Sequence, residues 1–212
     1  TWALGRELDP DHDLSAFVGA GLVLLAFLLS ATPSLLVIFW LLVVLRIVNR
    51  SVGLPAKPWD SLGVLGLGAW LTWQGYWMAG LITAVAFLLD GLLSPPLRYH
   101  LFASGLSLVT TVVLAVVYGD MTMENGFTLP VVLASVLVAA LFPVVILTTR
   151  QVEAVGDATG KVLNARRVQA AQVLALLTFL LFAWWFRASG LVTLLPLGAA
   201  MIGVSLYRLV GF

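Results

Sequence analysis

Cysteine is absent from the 212 residues, which excludes disulfides and thiolate chemistry. Charge is scarce: 11 Lys and Arg against 10 Asp and Glu make up 10% of the chain, where a soluble domain carries about 25%. The net charge of +1 provides no electrostatic footprint for a nucleic-acid partner. The two histidines, His12 and His100, lie far apart and form no His-rich metal motif. "TWALGRELDPDHD" is acidic and precedes the first apolar run, so a cleavable signal is not expected there. What remains is oil: 61% of residues are hydrophobic and the mean hydropathy is +1.08. That composition predicts an all-α polytopic membrane protein.

Eight apolar segments can be read, at about 14–31, 34–48, 61–74, 77–93, 100–118, 129–148, 168–186 and 189–207. Several are shorter than the ~20 residues that cross a bilayer without help. The pair 61–74 and 77–93 could form one long helix, but "TWQGYW" argues for a break, with Gly75 loosening the helix and aromatics suited to an interface. Charge asymmetry supports the count. Eight spans put Arg6, Arg46, Arg50, Lys57, Arg98, Arg150, Lys161, Arg166, Arg167 and Arg208 on one side and only Arg187 on the other. The positive-inside rule then places both termini in the cytoplasm. "YGDMTMENGF" is the longest loop expected on the far side.

The two longest basic-side loops match each other. At a constant offset of 104, "RIVNRSVGLPAKPWD" from Arg46 and "RQVEAVGDATGKVLN" from Arg150 share R-x-V-[NE]-x3-[GD]-x3-K-x2-[DN]. This pairs Asn49 with Glu153, Gly53 with Asp157, Lys57 with Lys161 and Asp60 with Asn164. Two parallel four-helix repeats are expected, 1–95 and 96–212, with their loops facing across one axis. Glu153, Asp157 and Lys161 are four apart, so on a helix they would form one polar stripe below Thr149. Carboxylates so placed can hold a hard divalent cation, and neighbouring Lys and Arg can take phosphate. The plainer reading is a solvated loop.

"VEAVGDATGKVLNARRVQAA" resembles the second aspartate-rich motif of the UbiA superfamily of intramembrane prenyltransferases, with Glu153, Gly156, Asp157 and Gly160 on the pattern. "LLSPPLRYHLFASG" is similar to that family's entry into its fifth helix. The first motif departs: Asn49 matches, but Arg50, Gly53 and Lys57 stand where carboxylates belong. The resemblance implies a shortened, divergent UbiA-like bundle acting on an isoprenoid diphosphate and a lipophilic acceptor. It implies Mg²⁺ near Glu153, Asp157, Asn49 and Asp60, with the diphosphate met by Lys57, Arg50, Lys161 and Arg166. In such a site the metal draws off the diphosphate in a water-shielded pocket.

Two alternatives stand beside that expectation. One is a non-catalytic UbiA-like subunit that binds lipid or pigment among other membrane subunits. The other is a small transporter. Asp90, in "FLLDGLLSPP", is an ionisable residue in apolar sequence and hence a candidate site, although its place favours helix-end pairing at the interface. His12 and His100 read as interfacial residues. Trp73, Trp77, Trp184 and Trp185 read as belt aromatics, or as walls of a prenyl tunnel.

Overall fold

The computed structural model describes residues 1–28, 32–118, 123 and 126–210. Most of the expected far-side loop, including Asn125, lies outside them. The described residues form ten α-helices and no strand. They are α1 (Trp2–Leu8), α2 (Asp13–Leu28), α3 (Leu35–Asn49), α4 (Pro58–Trp73) and α5 (Trp77–Leu92), then α6 (Tyr99–Tyr118), α7 (Leu129–Thr148), α8 (Ala165–Trp185), α9 (Arg187–Thr193) and α10 (Leu195–Val210).

Several helix starts have a local cause. Ser34 caps α3 by accepting from the Val37 amide, and Asn164 caps α8 through the Arg166 amide. Pro58 opens α4, where a missing N–H costs nothing. The expected break between α4 and α5 is present. Gly75 takes φ +96°, a left-handed turn that suits glycine, and α5 restarts at Trp77.

α6, α7 and α8 are each long and apolar enough to cross a membrane. At 20 residues, α6 and α7 are about 30 Å long, matching a hydrocarbon core. α9 and α10 together make a fourth, but they are bent by 68°. The single segment expected at 189–207 is therefore broken. α9 runs only to Thr193, and α10 restarts at Leu195 with Pro196 in its first turn, which cannot continue a helix from before it. α2, α3 and α5 are apolar but only 15–16 residues long.

Packing divides into two groups joined through α8. α5 lies along α6 and α4; α10 lies along α2 and α7; α8 touches α3, α5 and α7. The α2–α10 crossing is backbone-close, since a Cβ on Gly203 would stand 2.6 Å from the Gly19 nitrogen. Trp40, Phe87, Phe142, Phe179 and Phe182 are buried in one core. Outward, α6 exposes Val109, Val112, Val113 and Val116, and α7 exposes Leu133, Val136 and Leu137. Such faces suit lipid rather than water.

α1 was not among the expected elements. It docks across the polar end of the bundle against α2, α3, α8 and α10. Leu4 and Leu8 are buried beneath it, and the Leu8 carbonyl accepts from Gln172 Nε2 at 2.7 Å.

Candidate functional site at the polar end

Three buried carboxylates organise this end. Glu7 of α1 receives Arg46 Nε at 2.7 Å, Asn49 Nδ2 at 2.6 Å and Ser51 Oγ at 3.0 Å. Asp9 receives the Arg208 guanidinium twice, at 2.7 and 3.0 Å, and faces His12 Nδ1 at 3.1 Å. Asp90, fully buried, receives Arg50 at 2.8 and 3.0 Å, Arg167 at 2.6 Å and His100 Nδ1 at 2.7 Å. Each carboxylate thus has several donors, the condition under which a buried charge is tolerated.

Arg167 also ties helix ends together. Its remaining donors reach the carbonyls of Val48 at 3.0 Å, Leu93 at 2.6 Å and Pro95 at 2.9 Å. Arg50 ends α3 with φ +54°, a left-handed conformation that costs a non-glycine residue roughly 1 kcal/mol. From that position its side chain donates two hydrogen bonds to Asp90. A chain of contacts continues from the same node: His100 Nε2 lies 2.7 Å from Ser61 Oγ, and Tyr99 Oη lies 3.3 Å from it.

The two matching loops do meet. The Asp157 and Ala158 amides donate to the carbonyls of Ser51 and Val52 at 3.4 and 3.0 Å. Gly53 and Gly156 touch backbone to backbone, because a Cβ on Gly156 would sit 2.6 Å from the Gly53 Cα. Only glycine permits that approach. The polar stripe does not form, however. Residues 150–164 are a hairpin-like loop with an isolated bridge from Val155 to Val162, a turn at 157–159 and Gly160 at φ +62°. Spacing by four means a shared face only on a helix. Two glycines and the β-branched Val152, Val155 and Val162 disfavour that helix.

The expected site residues are distributed as follows. Asn49 is buried and bonded to Glu7. Asp60 caps α4 by accepting from the Lys57 amide at 3.0 Å. Glu153 and Asp157 are exposed, and the Glu153 amide is held by Asp11 at 3.0 Å. Among the described residues no three His, Asp or Glu side chains gather as a metal site. Of the expected phosphate ligands, Arg50 is engaged by Asp90, whereas Lys57, Lys161 and Arg166 are exposed.

Arg166 lines an open pocket of about 560 Å³ with Arg150, Asn164, Ser94, Leu92 and Leu93. Neither the Arg150 nor the Arg166 guanidinium has a carboxylate partner among the described residues. A narrower cleft of about 50 Å³ separates α1 from the loops, with Asp157, Arg6 and Arg46 on its wall.

The reading of the chain alone missed the linkage of Asp90 to Arg50, Arg167 and His100. It treated Asp90 and His100 as separate interfacial residues. The one available signal was an Asp and a His ten residues apart on either side of "SPPLR". Compared with protein-family models, with curated proteins and with solved structures, the chain matches none of them.

Proposed function

We propose that the chain is an integral membrane protein that binds a phosphate-bearing lipid at its polar end, using arginine rather than a metal to hold the phosphate. The observation that carries this is the Arg150–Arg166 pocket. Two arginines without a carboxylate partner among the described residues line an open space together with Leu92 and Leu93. Guanidinium forks match phosphate oxygens two at a time, and the leucines suit the first methylenes of a lipid tail. In this reading the bundle is inserted with eight helices in two UbiA-like halves. Both termini and the basic loops face the cytoplasm, where anionic headgroups favour each basic side chain by about 1 kcal/mol. The protein would then be a non-catalytic relative with respect to prenyl transfer, presenting its lipid to other membrane subunits.

Mg²⁺-assisted transfer from an isoprenoid diphosphate is the second reading. Asp157 beside Arg6 and Arg46 in the cleft under α1 favours it. The donors expected beside Mg²⁺ fit it poorly, since Asn49 is bound to Glu7 and Asp60 caps α4.

The test is the lipid retained by purified protein, read by native mass spectrometry. The wild type should keep lipids with a terminal phosphate over zwitterionic phosphatidylcholine, whose phosphate is capped by choline, and Arg150→Ala/Arg166→Ala should bind them at least about tenfold more weakly, or ~1.4 kcal/mol. Equal retention by both proteins would reject the reading.

A further inference from the structure

Ser61, His100 and Asp90 lie on α4, α6 and α5 and form one line of contacts. Asp90 Oδ2 is 2.7 Å from His100 Nδ1, and His100 Nε2 is 2.7 Å from Ser61 Oγ. A carboxylate flanked by Arg50 and Arg167 can only accept, so the imidazole proton sits on Nδ1. A neutral ring then turns a bare lone pair on Nε2 toward the serine. The 2.7 Å contact is favourable only if the Ser61 hydroxyl donates to it. Ser61 has a second acceptor in the Lys57 carbonyl, but at the longer 3.2 Å. The result is a nucleophile, a base and an orienting carboxylate in the order that acyl-transfer hydrolases use on unrelated folds.

The surroundings supply a substrate path. Ser61 lines an apolar groove of about 260 Å³ with Leu62, Leu65, Phe102 and Leu106. Leu62, Phe102 and Leu106 are exposed on the outer face of the bundle, where a lipid tail would run. Ser61 sits in the first turns of α4, at the polar end, beside the Tyr99 hydroxyl that donates to the Ala56 carbonyl at 2.8 Å. A chain lying in the groove would bring its ester to the serine at the membrane interface.

We infer that Ser61, His100 and Asp90 form an acyl-transfer site for a lipid ester that enters sideways from the bilayer. Ser61 Oγ attacks the ester carbonyl carbon while His100 Nε2 takes the hydroxyl proton. Tyr99 Oη, 3.3 Å from Ser61 Oγ, would donate to the oxyanion by releasing the Ala56 carbonyl. The bond between the carbonyl carbon and the alcohol oxygen breaks, and that oxygen takes the proton from Nε2. An acyl ester on Ser61 remains. Water then gives a proton to Nε2 as its oxygen attacks the acyl carbon, and the Ser61 oxygen recovers the proton as it leaves. The products are a fatty acid and an alcohol, with no oxidant or cofactor required. This activity is independent of the phosphate-lipid pocket.

The full chain in phosphatidylcholine nanodiscs is treated with an alkyl fluorophosphonate, and the adduct is mapped by peptide mass spectrometry. The expected result is one adduct, on Ser61, lost in Ser61→Ala and formed about a hundredfold more slowly or worse in His100→Gln. Ser104→Ala, one turn along α6 from His100 and bonded to the Ala84 carbonyl, should label like the wild type. Folded wild-type protein without an adduct on Ser61 overturns the inference and leaves the contact as a structural hydrogen bond. Labelling at equal rates in wild type and His100→Gln overturns it as well. The wild-type map stands by itself if a variant fails to fold.

Discussion

Replacing Asp90 by Asn removes one charge and almost no volume, so it isolates what that charge holds together. In the native arrangement Asp90 receives four bonds, two from Arg50 and one each from Arg167 and His100. In Asp90→Asn two guanidiniums face each other in a buried site with no counter-charge. Deleting one partner of a buried ion pair costs about 3–5 kcal/mol. Arg167 keeps the carbonyls of Val48, Leu93 and Pro95, and the Arg50 side chain is 10% exposed. Both features point to the lower end, about 3 kcal/mol. For a chain of this length that corresponds to a fall in Tm of about 6–12 °C, measured by tryptophan fluorescence during heating in detergent micelles. Asp60→Asn, at an exposed cap, should stay within about 0.5 kcal/mol of the wild type. Adding Arg50→Gln to Asp90→Asn should recover part of the loss, because it removes one of the stranded charges. A fall of less than about 1 kcal/mol for Asp90→Asn would refute the claim that this node ties α3, α5 and α8 together.

Three further outcomes are expected. Gly156→Val puts a Cβ against the Gly53 backbone, so it should part the two loops and destabilise the fold by about 1–3 kcal/mol, read by the same melt and by new protease cleavage near Gly160. Gly75→Ala meets no neighbour but must hold φ +96°, so it should cost about 1 kcal/mol from backbone strain alone, and a Tm unchanged within error would contradict that. Reporter fusions at Pro55 and at Gly160 should report the same side of the membrane, because Ser51 and Val52 bond directly to Asp157 and Ala158. Opposite sides would be incompatible with the loop pairing.

Much of the architecture was legible because hydropathy and turn chemistry act locally. Each apolar run contains a helix, and "TWQGYW" breaks the chain where Gly75 allows a left-handed turn. The matching of the Arg46 and Arg150 loops anticipated neighbours that do touch. What could not be read was decided by contacts between distant residues. α1 is only seven residues long, and its docking depends on Glu7 reaching Arg46 and Asn49. The stripe expected from Glu153, Asp157 and Lys161 assumed a helix, whereas Gly156 and Gly160 turn the chain into a loop instead. The Ser61–His100–Asp90 line depends on how α4, α5 and α6 pack. Taken singly, Asp90 and His100 each read as interfacial residues, and Ser61 carries no signal of its own.

The central claim, that arginines and not a metal hold a lipid phosphate at the polar end, is tested most directly by titrating a prenyl diphosphate into the purified protein with Mg²⁺ and again with a chelator. The account predicts equal affinity in both, and at least tenfold weaker binding in Arg150→Ala/Arg166→Ala. Binding that requires Mg²⁺, survives the double arginine variant and is lost in Asp157→Asn would contradict it, and would place the phosphate at the Glu153–Asp157 loop instead.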